Sequence, residues 1–99
     1  MALELNVESI SIEEKKSRGY SIKVGNARLC NVKEVDGMYL AMCRSKYYAD
    51  KFPVDYKISK GYIDYRNYHF YTALLTHKQL EQWVKDILAL GIDKRLDNR

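Results

Sequence analysis

Cysteine is scarce in this chain: Cys30 and Cys43 are the only two in 99 residues. Two thiols do not make a disulfide framework, and no Cys-x-x-Cys or His-x-x-x-His spacing occurs, with His69 and His77 standing apart. A metal site is therefore not expected, nor any other cofactor, and the cysteines are expected as buried, reduced thiols. No glycine-rich loop precedes a helix, which removes the usual phosphate cradle of nucleotide-binding folds. No apolar run approaches the ~18 residues that cross a bilayer, so no membrane partner is expected. The first residues, Met1-Ala2-Leu3-Glu4-Leu5-Asn6-Val7-Glu8, carry acid where a signal peptide needs base, and the expected location is cytoplasmic. Catalysis needs a nucleophile beside a base, two carboxylates in different environments, or a metal cage. None is spelled out, so no catalytic residue is nominated and no enzyme is expected.

What remains is an ordinary soluble composition, 46% hydrophobic and 30% charged, of a size for one domain over residues 1–99. The net charge is +4 and the pI about 9.0, a mild excess that matters only where it is concentrated. Arg44, Lys46, Lys51, Lys57, Lys60 and Arg66 cluster against Asp50, Asp55 and Asp64. A second basic stretch runs through Lys15, Lys16, Arg18, Lys23 and Arg28.

Strands are predicted within residues 3–72. Leu3 to Val7 alternates apolar and polar, and the alternation resumes at Ile10 and Ile12 in the opposite phase, which implies a bulge or a change of partner near Ser9. Tyr20 to Val24, Ala27 to Val35 and Met38 to Arg44 are joined by the turn dipeptides Gly25-Asn26 and Asp36-Gly37, giving a three-stranded meander. If Asp36-Gly37 is a two-residue turn, Val35 faces Met38, and five further steps place Cys30 opposite Cys43. Tyr47 to Val54 reads as a loop. Tyr56 to Ile58 and Tyr62 to Tyr65 read as short extended pieces broken by Gly61, and Tyr68 to Thr72 as a last strand. A helix over about 77–90 opens with a Thr76-x-x-Gln79 capping box and presents Leu80, Trp83, Val84, Ile87 and Leu88 as one stripe. Gly91 ends it and a polar tail covers 92–99. The fold class is α+β: an antiparallel β-meander sheet packed against one C-terminal amphipathic helix.

Seven of the nine tyrosines lie between Tyr47 and Tyr71. One helix covers one face of a sheet, so some of these rings are expected in solvent. Exposed rings among cations suit single-stranded DNA or RNA, which offers bases to stack and phosphates to hold. On that reading Lys46, Lys57, Lys60 and Arg66 hold phosphates, with Tyr62, Tyr65 and Tyr68 as stacking candidates. Exposed tyrosine equally suits a protein interface, so a phage-type inhibitor docking on a host protein is the alternative.

From Ser21 the chain resembles the SpoVG family, the small bacterial regulators named for stage V sporulation and septation. The matching stretches are Ser21-Ile22-Lys23-Val24, Val32-Lys33-Glu34-Val35-Asp36-Gly37 and Tyr39-Leu40-Ala41-Met42-Cys43-Arg44-Ser45-Lys46. They stand where the family shows a Ser-Ile-Thr-Leu strand, an Arg-Val-Ile-Asp-Gly strand end and a Leu-Phe-Val-Ala-Met-Pro-Ser-Lys run. Cys43-Arg44 replaces the family's proline, and the tyrosine-rich segment before the helix is longer, as in a divergent member carried by a phage or mobile element. The resemblance implies a sheet-plus-helix homodimer that binds DNA and RNA, with Lys46 the basic position that carries over most directly.

Overall fold

The computed structural model describes residues 3–15, 19–63 and 66–91, with the backbone alone at 62–63 and 66–68. Six strands, β1 (Ser11–Lys15), β2 (Gly19–Val24), β3 (Ala27–Val35), β4 (Met38–Cys43), β5 (Lys57–Ile63) and β6 (Arg66–Leu75), form one antiparallel sheet in the order β1-β2-β3-β4-β6-β5. A short helical turn α1 (Lys46–Ala49) follows β4, and α2 (His77–Leu90) closes the described chain. The fold class is α+β, as read from the sequence.

The turns do what their residues allow. Asp36 and Gly37 both take positive φ, 51° and 80°, the pattern of a type I′ hairpin, while Gly25 alone does so at its turn, the II′ pattern. Val35 consequently faces Met38, and the register runs unbroken to Asn31 opposite Met42. The paired register stops one step short of Cys30 and Cys43; both thiols are free and buried, and close enough for Cys43 to add to the upward push that burial gives Cys30. Between β2 and β3 the register shifts after Ile22, which pairs with Cys30, whereas Lys23 pairs with Arg28. The extra residue is Leu29. This bulge lets Leu29 and Cys30 both enter the core, where regular alternation admits only one.

Helix α2 covers one face of the sheet. Thr76 Oγ1 accepts from the Gln79 amide at 3.1 Å and Gln79 Oε1 accepts from the Thr76 amide at 3.0 Å, the expected capping box. Leu80, Trp83, Val84 and Ile87 are buried, Leu88 partly so, against Ile22, Val32, Ala41, Ala73 and Leu75 of the strands. Trp83 stacks on Phe52 with centroids 4.4 Å apart, and its Nε1 donates to the Tyr48 carbonyl at 3.0 Å.

Several local expectations change. Leu3 to Val7 is not a strand: the segment lies beside α2, where Glu81 Oε2 accepts from the Asn6 amide at 2.6 Å and His77 Nε2 meets the Glu4 carbonyl at 2.6 Å. Its alternation is real, with Leu3, Leu5 and Val7 turned to the core, but its neighbour is a helix. The phase change falls at Ser9, which takes φ 71°. Residues 46–49 are helical, not loop, because Ser45 Oγ caps the Tyr48 amide at 3.4 Å. Gly61 does not break β5; the strand runs through it and the Phe70 ring fills the space a Cβ would need. The last strand extends to Leu75, beyond the expected Thr72, and pairs with β4, while β5 takes the sheet edge. The polar tail at 92–99 lies outside the described residues.

Candidate nucleic-acid interface

The tyrosine-rich segment does not assemble as a stacking platform among the described residues. Tyr48 and Tyr71 are in the core. Tyr56 is half-buried, edge-on to Tyr71 with centroids 5.6 Å apart, and its hydroxyl donates to Asp50 at 2.9 Å. Tyr47 is exposed, but its hydroxyl donates to the Leu90 carbonyl at 3.0 Å, tying α1 to the end of α2. Tyr62, Arg66 and Tyr68 have described backbone only, pairing with Asn67, Ile63 and Gly61 in the β5–β6 ladder. Tyr65 lies outside the described residues.

Of the cations nominated beside them, Lys46, Lys57 and Lys60 do not form one surface either. Lys46 sits at the start of α1 with its ammonium 3.2 and 3.1 Å from the two Asp50 oxygens. Those hydrogen bonds hold the Lys46 ammonium above its usual range and the Asp50 carboxyl below its own, with Tyr56 adding to the latter. Lys46 is thus already supplied with an anion. Lys57 and Lys60 are both exposed on β5, but three residues is an odd step in a strand, so they face opposite sides of the sheet.

The register identifies a different surface. On β4 and β6 the buried residues are Ala41, Cys43, Tyr71, Ala73 and Leu75, all on the helix side. The alternate positions form a second face that neither α1 nor α2 covers. One row crosses the whole sheet there: Glu13, Ser21, Asn31, Met42, Thr72, Lys57, with Ser21 itself buried beneath its neighbours. The next holds Lys15, Gly19, Lys33, Leu40 and Leu74, and on the other side Lys23 pairs with Arg28.

The cations of this open face are Lys15, Lys23, Arg28, Lys33 and Lys57, against Glu13 as its acid among the described residues. Lys15 and Lys23 both hydrogen-bond Glu13, and these contacts hold its carboxyl below the usual range. Arg28, Lys33 and Lys57 are exposed and make no ion pair among the described residues. Beside them runs an aliphatic strip, Met38, Leu40 and Met42 on β4 with Leu74 on β6 and Val35 at the end of β3. Leu74 is 44% and Val35 38% exposed.

Sequence reasoning grouped cations by nearness in the chain; of those it nominated, Lys57 lies on the open face and Lys60 on the other, while Arg28 and Lys33 come from a different part of the chain. A signal for Lys33 was present: it stands in the polar phase of a strand whose other phase, Cys30 and Val32, is apolar. A depression of about 330 Å³ lies elsewhere, between Pro53 and the start of α2, lined by Thr76, Lys78, Gln79, Gln82, Trp83 and Asp86. Its one carboxylate, Asp86, accepts from Gln82 at 3.0 Å. No group of three or more potential metal ligands occurs among the described residues, and none of their helices is long and apolar enough to cross a membrane. Compared with protein-family models, curated proteins and solved structures, the chain matches none.

Proposed function

We propose that this protein is a non-enzymatic nucleic-acid-binding regulator that takes single-stranded DNA or RNA on the open face of its sheet. The observation that carries this reading is the charge of that face: Arg28, Lys33 and Lys57 are exposed and make no ion pair among the described residues. Phosphates supply what is missing, and releasing their counterions drives binding. The other side of the sheet is occupied by the α2 stripe, so that helix has no free apolar face for a partner. The resemblance of residues 21–46 to the SpoVG family supports the same class and, with it, a cytoplasmic homodimer. Unpaired edges at β1 and β5 are compatible with self-association.

Binding of short single strands and of the matched duplex, measured between about 50 and 200 mM salt, tests the proposal. Three phosphate contacts to a single strand give a slope of log K against log salt of about −2. Failure to bind at the lowest salt, or binding that ignores salt, would refute it. The second reading, docking on a protein partner, is favoured by the aliphatic strip around Leu74 and Val35, and salt-independent capture of a protein would support it.

A further inference from the structure

Apart from Lys57 on the β5 edge and Val35 at the end of β3, the cations and the aliphatic residues of the open face lie on separate strands. Its β1–β3 half is polar: Glu13 and Lys15 on β1, Gly19 and Lys23 on β2, Arg28, Asn31 and Lys33 on β3, with Ser21 buried between them. Its β4–β6 part is aliphatic: Met38, Leu40 and Met42, then Leu74, with Thr72 between Leu74 and the half-buried Phe70. Lys33, Leu40 and Leu74 stand in line across three neighbouring strands, a cation followed by two apolar side chains within about 10 Å. Every open sheet keeps some apolar surface in water; what distinguishes this one is the segregation, which suits a ligand that is anionic on one side and apolar on the other.

Arg28 and Lys33 add a direction. Five residues apart, they would face opposite sides of a regular strand. The Leu29 bulge brings both to the open face, on the order of 13 Å apart along β3.

We infer that the phosphate backbone of a bound single strand tracks along β3 over Arg28 and Lys33, with its bases laid across Leu40, Met42 and Leu74. This rests on the nucleic-acid reading and deepens it. A duplex presents phosphates and hides its base faces, so it gains only the cationic half; a single strand gains both. The floor reads bases weakly, because aliphatic side chains and a methionine thioether bury a base without hydrogen-bonding its edge. Asn31 and Thr72 are the hydrogen-bonding side chains beside the floor.

The test compares an oligothymidine with an abasic sugar-phosphate strand of equal length, on the wild type and three variants. Arg28→Gln with Lys33→Gln should shrink the magnitude of the salt slope by about 1.4 for both strands, two contacts at about 0.7 each. Leu74→Asn, at an exposed position that tolerates a polar side chain, should weaken oligothymidine binding roughly three- to ten-fold while leaving the abasic strand and the slope unchanged. Lys60→Gln, on the opposite face, should change neither. An abasic strand that binds as tightly as oligothymidine, together with a silent Leu74→Asn, would overturn the base floor while leaving a polyanion-binding face intact. A slope that falls with Lys60→Gln and not with the Arg28/Lys33 pair would move the track to the other side of the sheet. Binding of neither strand at low salt would remove the functional reading itself.

Discussion

Replacing Trp83 with alanine removes the largest side chain of the core and two specific contacts at once. The ring is 1% exposed, stacks on Phe52 at 4.4 Å and 20°, and donates to the Tyr48 carbonyl at 3.0 Å. Truncations of buried aromatic residues cost about 3–5 kcal/mol, a large part of the roughly 5–15 kcal/mol that holds a small domain folded. The hydrogen-bond share is modest, because the Tyr48 carbonyl also accepts from the Lys51 amide at 3.0 Å and keeps a partner when the indole is gone. Trp83→Phe, which retains an aromatic ring but no donor, should therefore cost well under the alanine value, about 1 kcal/mol for the lost bond plus the missing volume. Urea unfolding followed by far-ultraviolet circular dichroism suits both, since each removes the single tryptophan fluorophore. A melting temperature lowered by about 12–40 °C corresponds to the alanine cost in a chain of this length. If Trp83→Ala unfolds within about 1 kcal/mol of the parent, the helix does not pack on the sheet through this ring and the architecture is refuted.

The thiols offer a second check. Burial raises both, with Cys43 pushed up to about 12 despite its bond to the Ser45 carbonyl at 3.6 Å, so native protein should leave a thiol reagent at neutral pH unreacted and release two equivalents in denaturant; native reaction at the rate of a free thiol would contradict the burial. An unfolded cysteine ionises near 8.5, below the folded values, so the thiol contribution to stability is complete below about pH 8 and is lost as the pH rises toward 12. Self-association through an unpaired sheet edge predicts sedimentation as a dimer at micromolar concentration, and a species at 11.6 kDa alone would exclude it there.

What was legible in the sequence is what is local. The hairpin around Asp36-Gly37 follows from two residues that accept positive φ, and α2 from its capping box and stripe, so these elements and the β3–β4 register from Val35–Met38 to Asn31–Met42 could be drawn without coordinates. Alternation in Leu3 to Val7 announced a face turned to the core but not that the neighbour would be α2. Four helical residues at 46–49 are too few to show a period, so the burial of Tyr48 was invisible. The candidate site was harder still. Lys57 and Lys60 looked like neighbours, yet strand parity separates them, whereas Arg28 and Lys33, five residues apart, share a face only through the Leu29 bulge. A bulge depends on how two strands meet and leaves little trace in either strand alone.

The sheet order also has a consequence for how the chain folds. Strands β1 to β4 pair with their sequence neighbours, β2–β3 and β3–β4 across two-residue turns, contacts that form in microseconds. The β4–β6 ladder instead joins Cys43 to Tyr71 and Tyr39 to Leu75, so a long loop carrying α1 and β5 must close before any of those bonds form. Helix α2 cannot dock until then, because its resting place spans β4 and β6. The late event is therefore the docking of the β5–β6 pair on β4, which α2 then covers, and before it the free side of β4 is an unpaired edge beside uncovered Ala41 and Cys43. That edge is the chain's exposure to misassembly during synthesis, and Trp83, which enters the core only with α2, is the natural reporter of its closure.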